Sequence, residues 1–282
     1  MIVYPCLQYT PVLRADSLLR SMPARSSMVV LDLEDSIPPH SKAAARSRLA
    51  SDELADSGLP GVGLRINSIN TPDGLRDIEA LIGLDGRACG VAVQVVFVPK
   101  VATGSDVAIY RSLLAKISDA PEICTFIETV DAVENAFDIA AQSDGLCFGQ
   151  ADLVSEMYAP NEAYLELARV RLCTAAAKFG LPAIDSNSFE LWDMDIVRAE
   201  SEAAKRCGFT GKAAIHPKQV EPITQTFSVD PELLDSYRRT IKDYEENERG
   251  FAVTKDRVLA PPFVAKARRM IQLYDKAVDT IG

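Results

Sequence analysis

Histidine and tryptophan are scarce in this chain, with two of the first and one of the second among 282 residues. The six cysteines (Cys6, Cys89, Cys124, Cys147, Cys173 and Cys207) stand singly, without a CxxC pair. That spacing excludes a dense disulfide framework and leaves them as small core residues. No apolar run approaches a membrane-spanning length. The opening stretch "MIVYPCLQYTPVLRADSLL" lacks a basic segment followed by a continuous apolar run and a cleavage site. A cytoplasmic location is therefore expected. Basic residues are in deficit, thirty against forty acidic ones, for a net charge of −10. Such a surface repels phosphate backbones and anionic membranes, so neither nucleic acid nor a membrane is expected as a partner. Neither a GxGxxG nor a Walker sequence occurs.

What the chain does have is a series of short apolar runs bounded by breakers: 2–9, 28–34, 62–67, 91–100, 123–128, 145–149, 182–186 and 213–217. Between most of them lie stretches of helical spacing, at 43–57, 73–83, 105–118, 131–142, 161–179 and 192–207. Strands that are apolar on both faces and alternate with helices suit a parallel sheet covered by helices. Eight strand–helix units close a TIM (β/α)8 barrel. The main competitor, a doubly wound open sheet, usually has fewer strands and often a glycine-rich phosphate loop after the first. Residues 1–229 are assigned to the barrel. Residues 230–282 are assigned to a C-terminal extension with helices at 230–249 and 263–279, packed on the barrel or on a neighbouring subunit.

In a parallel barrel the catalytic groups gather at the carboxyl ends of the strands, and here the endings of the second to eighth runs are all polar. The endings are Glu34 and Asp35, Arg65 and Asn67, Lys100, Glu128, Asp152 just past the sixth strand, Asp185, and His216. Asp35 alone is equally well a helix N-cap. Glu128 directly follows "ICTFI", and a carboxylate ending a buried strand needs a cation beside it. Glu128 and Asp152, with no histidine or cysteine cluster nearby, suit a hard divalent ion, Mg2+, whose waters Glu34 and Asp35 could orient. Arg65 inside "VGLRIN" faces either a substrate oxygen or a salt bridge to Glu34. His216 reads as a neutral histidine bonded to the backbone. Lys212 and Lys218 read as rim residues.

The segments "LDLEDSIPPHSKAAAR", "LRIN", "VPKV", "FIET", "FGQADL", "GLPAID" and "GFTGKAAIHPKQV" occur in this order. Together they resemble the citrate lyase beta-subunit-like group, within the superfamily of malyl-CoA lyases and HpcH/HpaI class II aldolases, over residues 28 to 225. The resemblance implies a magnesium-binding TIM barrel that forms homotrimers or hexamers. It also implies reversible carbon–carbon cleavage, often of a 3-hydroxyacyl-CoA, giving an oxo acid and an acyl fragment. By motif, it makes Glu128 and Asp152 the metal ligands. Arg65 becomes the contact to the enolate oxygen, and Glu34 and Asp35 the holders of metal-bound waters. Gly149, Ala151 and Asp152 form the seat of the oxo-acid carboxylate. Some relatives work with an acyl carrier protein, which nothing here indicates.

Two departures bear on substrate. The group usually begins with Arg-Ser before Leu-Phe-Val-Pro-Gly, whereas this chain reads "PCLQYTPV", differing at Pro5, Cys6, Gln8 and Val12. Near the end the group often has an Asp-Gly pair linked to thioester hydrolysis. Here Asp256 is nearby, but a gapless match puts Lys255 there, so no hydrolase step is assigned. The leading expectation is a Mg-dependent lyase of a 3-hydroxyacyl-CoA or related hydroxy acid. The alternatives are a CoA-independent aldolase of 4-hydroxy-2-oxo acids and a non-catalytic binding subunit. A cationic rim for CoA phosphates, from Arg14, Arg20 or Arg25, would separate the first two. Arg65→Ala is expected to reduce turnover far more than it alters folding.

Overall fold

The computed structural model describes residues 3–15, 27–246, 251–253 and 258–281. The apolar runs become eight strands: β1 Cys6–Pro11, β2 Ser27–Asp32, β3 Val62–Arg65, β4 Val91–Val98, β5 Glu122–Ile127, β6 Gly145–Phe148, β7 Ala183–Asp185 and β8 Gly211–Ala214. Each pairs in parallel with the next, and β8 returns to β1, closing a TIM (β/α)8 barrel. A two-residue strand, Arg87–Ala88, runs antiparallel to the start of β4. The register slips between Val62 and Gly63 opposite β4. Beyond that slip Val96 and Val98 join the layer under the helices, while Phe97 packs on Tyr9 and Phe126 at centroid distances of 5.9 and 6.5 Å. A Cβ on Gly63 would stand 2.6 Å from the Phe97 ring, so this position has to be glycine for the ring to fit.

The helices between strands are α1 Lys42–Arg48, α2 Pro72–Gly83, α3 Gly104–Leu114, α4 Val130–Glu134, α5 Ala136–Ala140, α6 Gln150–Ser155, α7 Glu162–Phe179, α8 Met194–Cys207 and α9 Pro217–Phe227. Their starts are chemically marked. Thr71, Thr129 and Asn161 accept hydrogen bonds from first-turn amides, and Thr103 and Asp106 form a capping box. Leu81, Val107, Tyr110, Ile139, Leu172, Val197 and Ile223 from these helices bury against Leu31, Leu64, Val96, Ile123, Leu146 and Phe148 of the strands. This layer between barrel and helices is the main apolar core. Five cysteines are buried and Cys207 half-buried, all of them as free thiols.

Three expected helices differ in extent: 43–57 stops at Arg48, 105–118 stops at Leu114, and 131–142 is divided at Asn135. The sequence reading did not anticipate α6 and α9. The six residues of α6 are too few to display a period. In α9, Pro217 and Pro222 read as breakers, yet Pro217 stands at the helix start, where its missing amide has no intrahelical acceptor, and Pro222 sits inside the helix and is tolerated there.

The chain forms two compact units, Val3–Phe227 and Ser228–Gly282. In the second, α10 (Pro231–Glu245) packs against α11 (Pro261–Ile281), and Ala252–Val253 pairs antiparallel with Val258–Leu259. Arg20, Arg25, Lys255 and Asp256 lie outside the described residues. Among the described residues no helix is long and apolar enough to cross a membrane.

Candidate active site

The carboxyl ends of the strands open on a cavity of about 1300 Å³, lined by residues in or just after β1, β2, β3, β5, β6, β7 and β8. On one wall Arg65 ends β3, paired in register with Asp32, the last residue of β2. Its Nε and Nη2 donate to Asp32 Oδ1 and Oδ2, each at 2.7 Å, a bidentate fork. Nη1 lies 2.9 Å from Glu34 Oε2 and 3.7 Å from Asp35 Oδ2. The guanidinium also lies over the Tyr9 ring at 5.2 Å and the Phe126 ring at 5.9 Å. Asp32 is 1% exposed and takes two further hydrogen bonds, from the Glu34 and Ser36 amides. Burial works against its ionisation, but Arg65 and these donors outweigh burial and hold its pKa low. Burial likewise opposes the charge of Arg65, and Asp32 and Glu34 overcome it and raise its pKa. Glu34 is pushed up to about 8, first by burial and then, against the pull of Arg65, by Asp35, Glu128 and Asp32.

Two strands round the barrel from Arg65, Glu128 follows β5. It is 2% exposed, and its Oε1 accepts the Lys100 amide at 2.7 Å. Lys100 adopts φ +55, in the left-handed region, a turn that aims its amide at Glu128. The Lys100 ammonium lies 3.7 Å from Glu128 Oε1 and makes a short contact to Asp152 Oδ1. The two carboxylates therefore converge on one positive charge. Burial raises Glu128 to about 7; Lys100 pulls it down and Asp152 pushes it further up. A Cβ on Gly149 would stand 2.3 Å from Glu128 Cβ and 2.6 Å from its Oε2, so the missing side chain makes room for the carboxylate. Ala151 and Asp152 sit in the first turn of α6, whose N-cap is Gly149.

The donor set is all oxygen, and among the described residues no group of three or more His, Cys, Asp or Glu gathers into a cage. Magnesium is typically held by one or two carboxylates, the rest of its shell being water and substrate. Two converging carboxylates beside an open cavity fit that pattern.

The structure thus brings Glu34, Asp35 and Arg65 together, and separately Glu128, Gly149, Ala151 and Asp152; Coulombic coupling between Glu34 and Glu128 links the two groups. The expected Arg65–Glu34 bridge is present, but Asp32 is the main partner, a pairing the sequence reading did not make. Asp32 changes the expectation for Arg65→Ala, because removing the cation leaves a buried carboxylate unpaired and so weakens the fold as well. Lys100 and Lys42 were also missed as organisers. Lys42 Nζ donates to the Leu33 and Glu34 carbonyls and to Asn67 Oδ1 at 2.7 to 2.8 Å, holding the loop that carries Glu34. Lys212 is not a rim residue: it is 3% exposed and bonded to Asp185. Lys218 is exposed and lies over Trp192. The His216 ring accepts the Lys218 amide through Nδ1 at 3.2 Å, the expected bond to the backbone.

A parallel barrel whose mouth carries a carboxylate pair facing a clamped arginine defines a class of site suited to stabilising negative charge on oxygen. The HpcH/HpaI aldolase/citrate lyase family matches residues 9–217, and the chain belongs to it. It is 30% identical over 275 residues to a (3S)-malyl-CoA thioesterase of Cereibacter sphaeroides, covering 93% of this chain and 92% of that one. The fold resembles a citrate lyase beta subunit of M. tuberculosis complexed with oxaloacetate and magnesium, at 25% identity and TM-score 0.66, over 80% of this chain and 98% of that one. It also resembles a citrate lyase from Burkholderia xenovorans, at 21% identity and TM-score 0.79, over 98% and 92% of the two chains.

Proposed function

We propose that this protein is a magnesium-dependent carbon–carbon lyase that cleaves or forms a 3-hydroxyacyl-CoA or a related hydroxy acid, releasing an oxo acid and an acyl fragment. The observation that carries the reading is the convergence of Glu128 and Asp152 on a single positive charge, at the same strand ends as the Arg65 guanidinium. In this reading Glu128 and Asp152 are the residues that hold magnesium, which when bound supplies a Lewis acid for the oxo-acid oxygens. The amides of Ala151 and Asp152, in a first helical turn whose N–H groups lack intrahelical acceptors, receive the oxo-acid carboxylate beside Gly149. Arg65 turns Nη1 toward the oxygen that gains charge as the bond breaks, and its orientation is set beforehand by Asp32. Glu34, with a pKa near 8, holds or releases a proton at the edge of that site, and Asp35 orients water there.

The malyl-CoA name of the Cereibacter relative supports a CoA thioester as substrate. The altered first strand, reading "PCLQYTPV", favours the second reading, an aldolase of free 4-hydroxy-2-oxo acids.

The test is to incubate purified protein and magnesium with a panel of 3-hydroxyacyl-CoA thioesters and free 4-hydroxy-2-oxo acids, detecting products by mass. Carbon–carbon cleavage that stops on chelation, and that falls roughly 100- to 1000-fold in Arg65→Lys, is expected. Undiminished turnover of Arg65→Lys, or cleavage that persists in excess chelator, would refute the mechanism. Products from the free acids alone would select the second reading.

A further inference from the structure

The same cavity reaches a second group of charges that the proposed chemistry does not use. Asp185, the last residue of β7, stands in register beside Lys212 of β8. Arg169 reaches them from α7 and Glu200 from α8, and all four line the cavity. Lys212 Nζ donates to Asp185 Oδ2 at 2.7 Å, and Arg169 Nη1 lies 3.0 Å from Asp185 Oδ1. Arg169 is fixed by stacking over Phe148 and Phe209 at 5.6 and 5.1 Å and by a 3.4 Å hydrogen bond to Gln150.

The charges in this cluster are unevenly matched. A buried cation, Lys212, and a half-buried one, Arg169, share one buried carboxylate, and the second counter-charge is Glu200, whose side chain is 43% exposed and stands 3.8 Å from Lys212 Nζ. That separation is beyond hydrogen-bonding range. An ammonium has three donors, and among the described residues Asp185 is the one acceptor bonded to this one. Lys212 thus keeps unmet donors inside a cavity, with its remaining balance supplied by a side chain free to swing into water. Val154, Ile196, Ala203 and Ile215 line the same cavity and offer apolar surface to an aliphatic chain. Asp185 continues the β6–β7 register next to Phe148, one residue before the Gly149 that abuts Glu128. Adjacent strands are roughly 5 Å apart, so a chain of a few carbons spans the two groups.

We infer that Lys212 and Arg169, organised by Asp185, form an anion subsite for a carboxylate at the far end of the substrate, and that Glu200 occupies this position until the ligand displaces it. The inference rests on the reading that the other end is a 2-oxo acid held at Glu128 and Asp152. It makes the preferred substrate a dicarboxylic one, and it makes Glu200 a competitor for the ligand.

The test is calorimetric titration in the presence of magnesium with pyruvate, α-ketoglutarate and α-ketoglutaramate, the last having the same length but no terminal charge. The diacid is expected to bind at least roughly tenfold more tightly than its amide, the lower end for hydrogen bonds to charged groups. Glu200→Gln should widen that ratio and Lys212→Met should erase it. If Lys212→Met does not fold, the Glu200→Gln comparison decides alone. A ratio near unity that Glu200→Gln leaves unmoved, while pyruvate still binds, overturns the subsite and spares the lyase reading. Failure of all three acids to bind overturns both.

Discussion

The burial of Glu128 makes a prediction about stability that separates a metal ligand from an ordinary buried acid. Its carboxyl rises from 4.5 to about 7 in the fold, chiefly through burial. Between those values the native state holds the proton that the unfolded chain has released, so stability falls as pH climbs through that window. At about 1.36 kcal/mol per unit the full cost is on the order of 3 kcal/mol, reached once pH exceeds the folded value. Glu128→Gln keeps an oxygen for the Lys100 amide and cannot ionise. In EDTA at roughly pH 8.5 the variant should therefore be the more stable protein by up to about 3 kcal/mol, and near pH 5 the two should almost coincide. Magnesium reverses the order. The wild type gains about 4.1 kcal/mol at a thousandfold excess over the Kd at pH 8.5, more than its deficit of about 3 kcal/mol, and gains less from the same magnesium near pH 5 because the ligands must be ionised, while the variant gains little. Urea denaturation of both proteins, with EDTA or magnesium at the two pH values, measures all four terms. A glutamine variant that is less stable than wild type in EDTA at the higher pH, or one that responds equally to magnesium, would refute the reasoning.

Two further outcomes follow from local geometry. Gly149→Ala would put a Cβ 2.3 Å from Glu128 Cβ, so the carboxylate must move; a loss of roughly 1–3 kcal/mol in urea denaturation, together with loss of the magnesium-induced rise in melting temperature, is expected. The Tyr9 hydroxyl is buried and has no hydrogen-bond partner among the described residues; Tyr9→Phe should therefore raise stability by as much as about 1–3 kcal/mol in the same assay and leave oxo-acid binding unchanged.

The barrel was legible in the sequence because eight buried strands must be apolar on both faces, and the breaks between them are frequent enough to count. Its site was legible for a related reason: a charged residue in or directly after such a run is costly unless it faces the mouth, which is why Arg65, Glu128 and Asp152 stood out. Partnership was harder to read. Asp32 lies inside "VVLDLEDSI" as one of three nearby acids, and only the parallel register of β2 with β3 selects it, rather than Glu34, for the bidentate contact. Lys100 was visible as a polar strand ending, but its role depends on a left-handed backbone turn that no neighbouring glycine announces. Lys212 looked like a rim residue because "GKAA" offers only one charge, while the groups that bury it come from β7, α7 and α8, each at a distance in sequence.

The acids that close β2 have separable tasks, and the division explains why the strand ends as it does. Asp32 points to the Nε edge of Arg65 and exhausts its oxygens there and on two backbone amides. Glu34 and Asp35 face the other edge, at Nη1, where the cavity begins. One edge of the guanidinium is thus structural and the other is available to chemistry. A lysine has a single point of charge and can serve one edge at a time, either leaving Asp32 unpaired in the core or withdrawing from the mouth. The rigid fork lets the fold set the direction of the charge before substrate arrives, so that little reorganisation remains when negative charge develops. A core strand ends in acid here because an arginine this deep requires one carboxylate to aim it and others to share its reactive face.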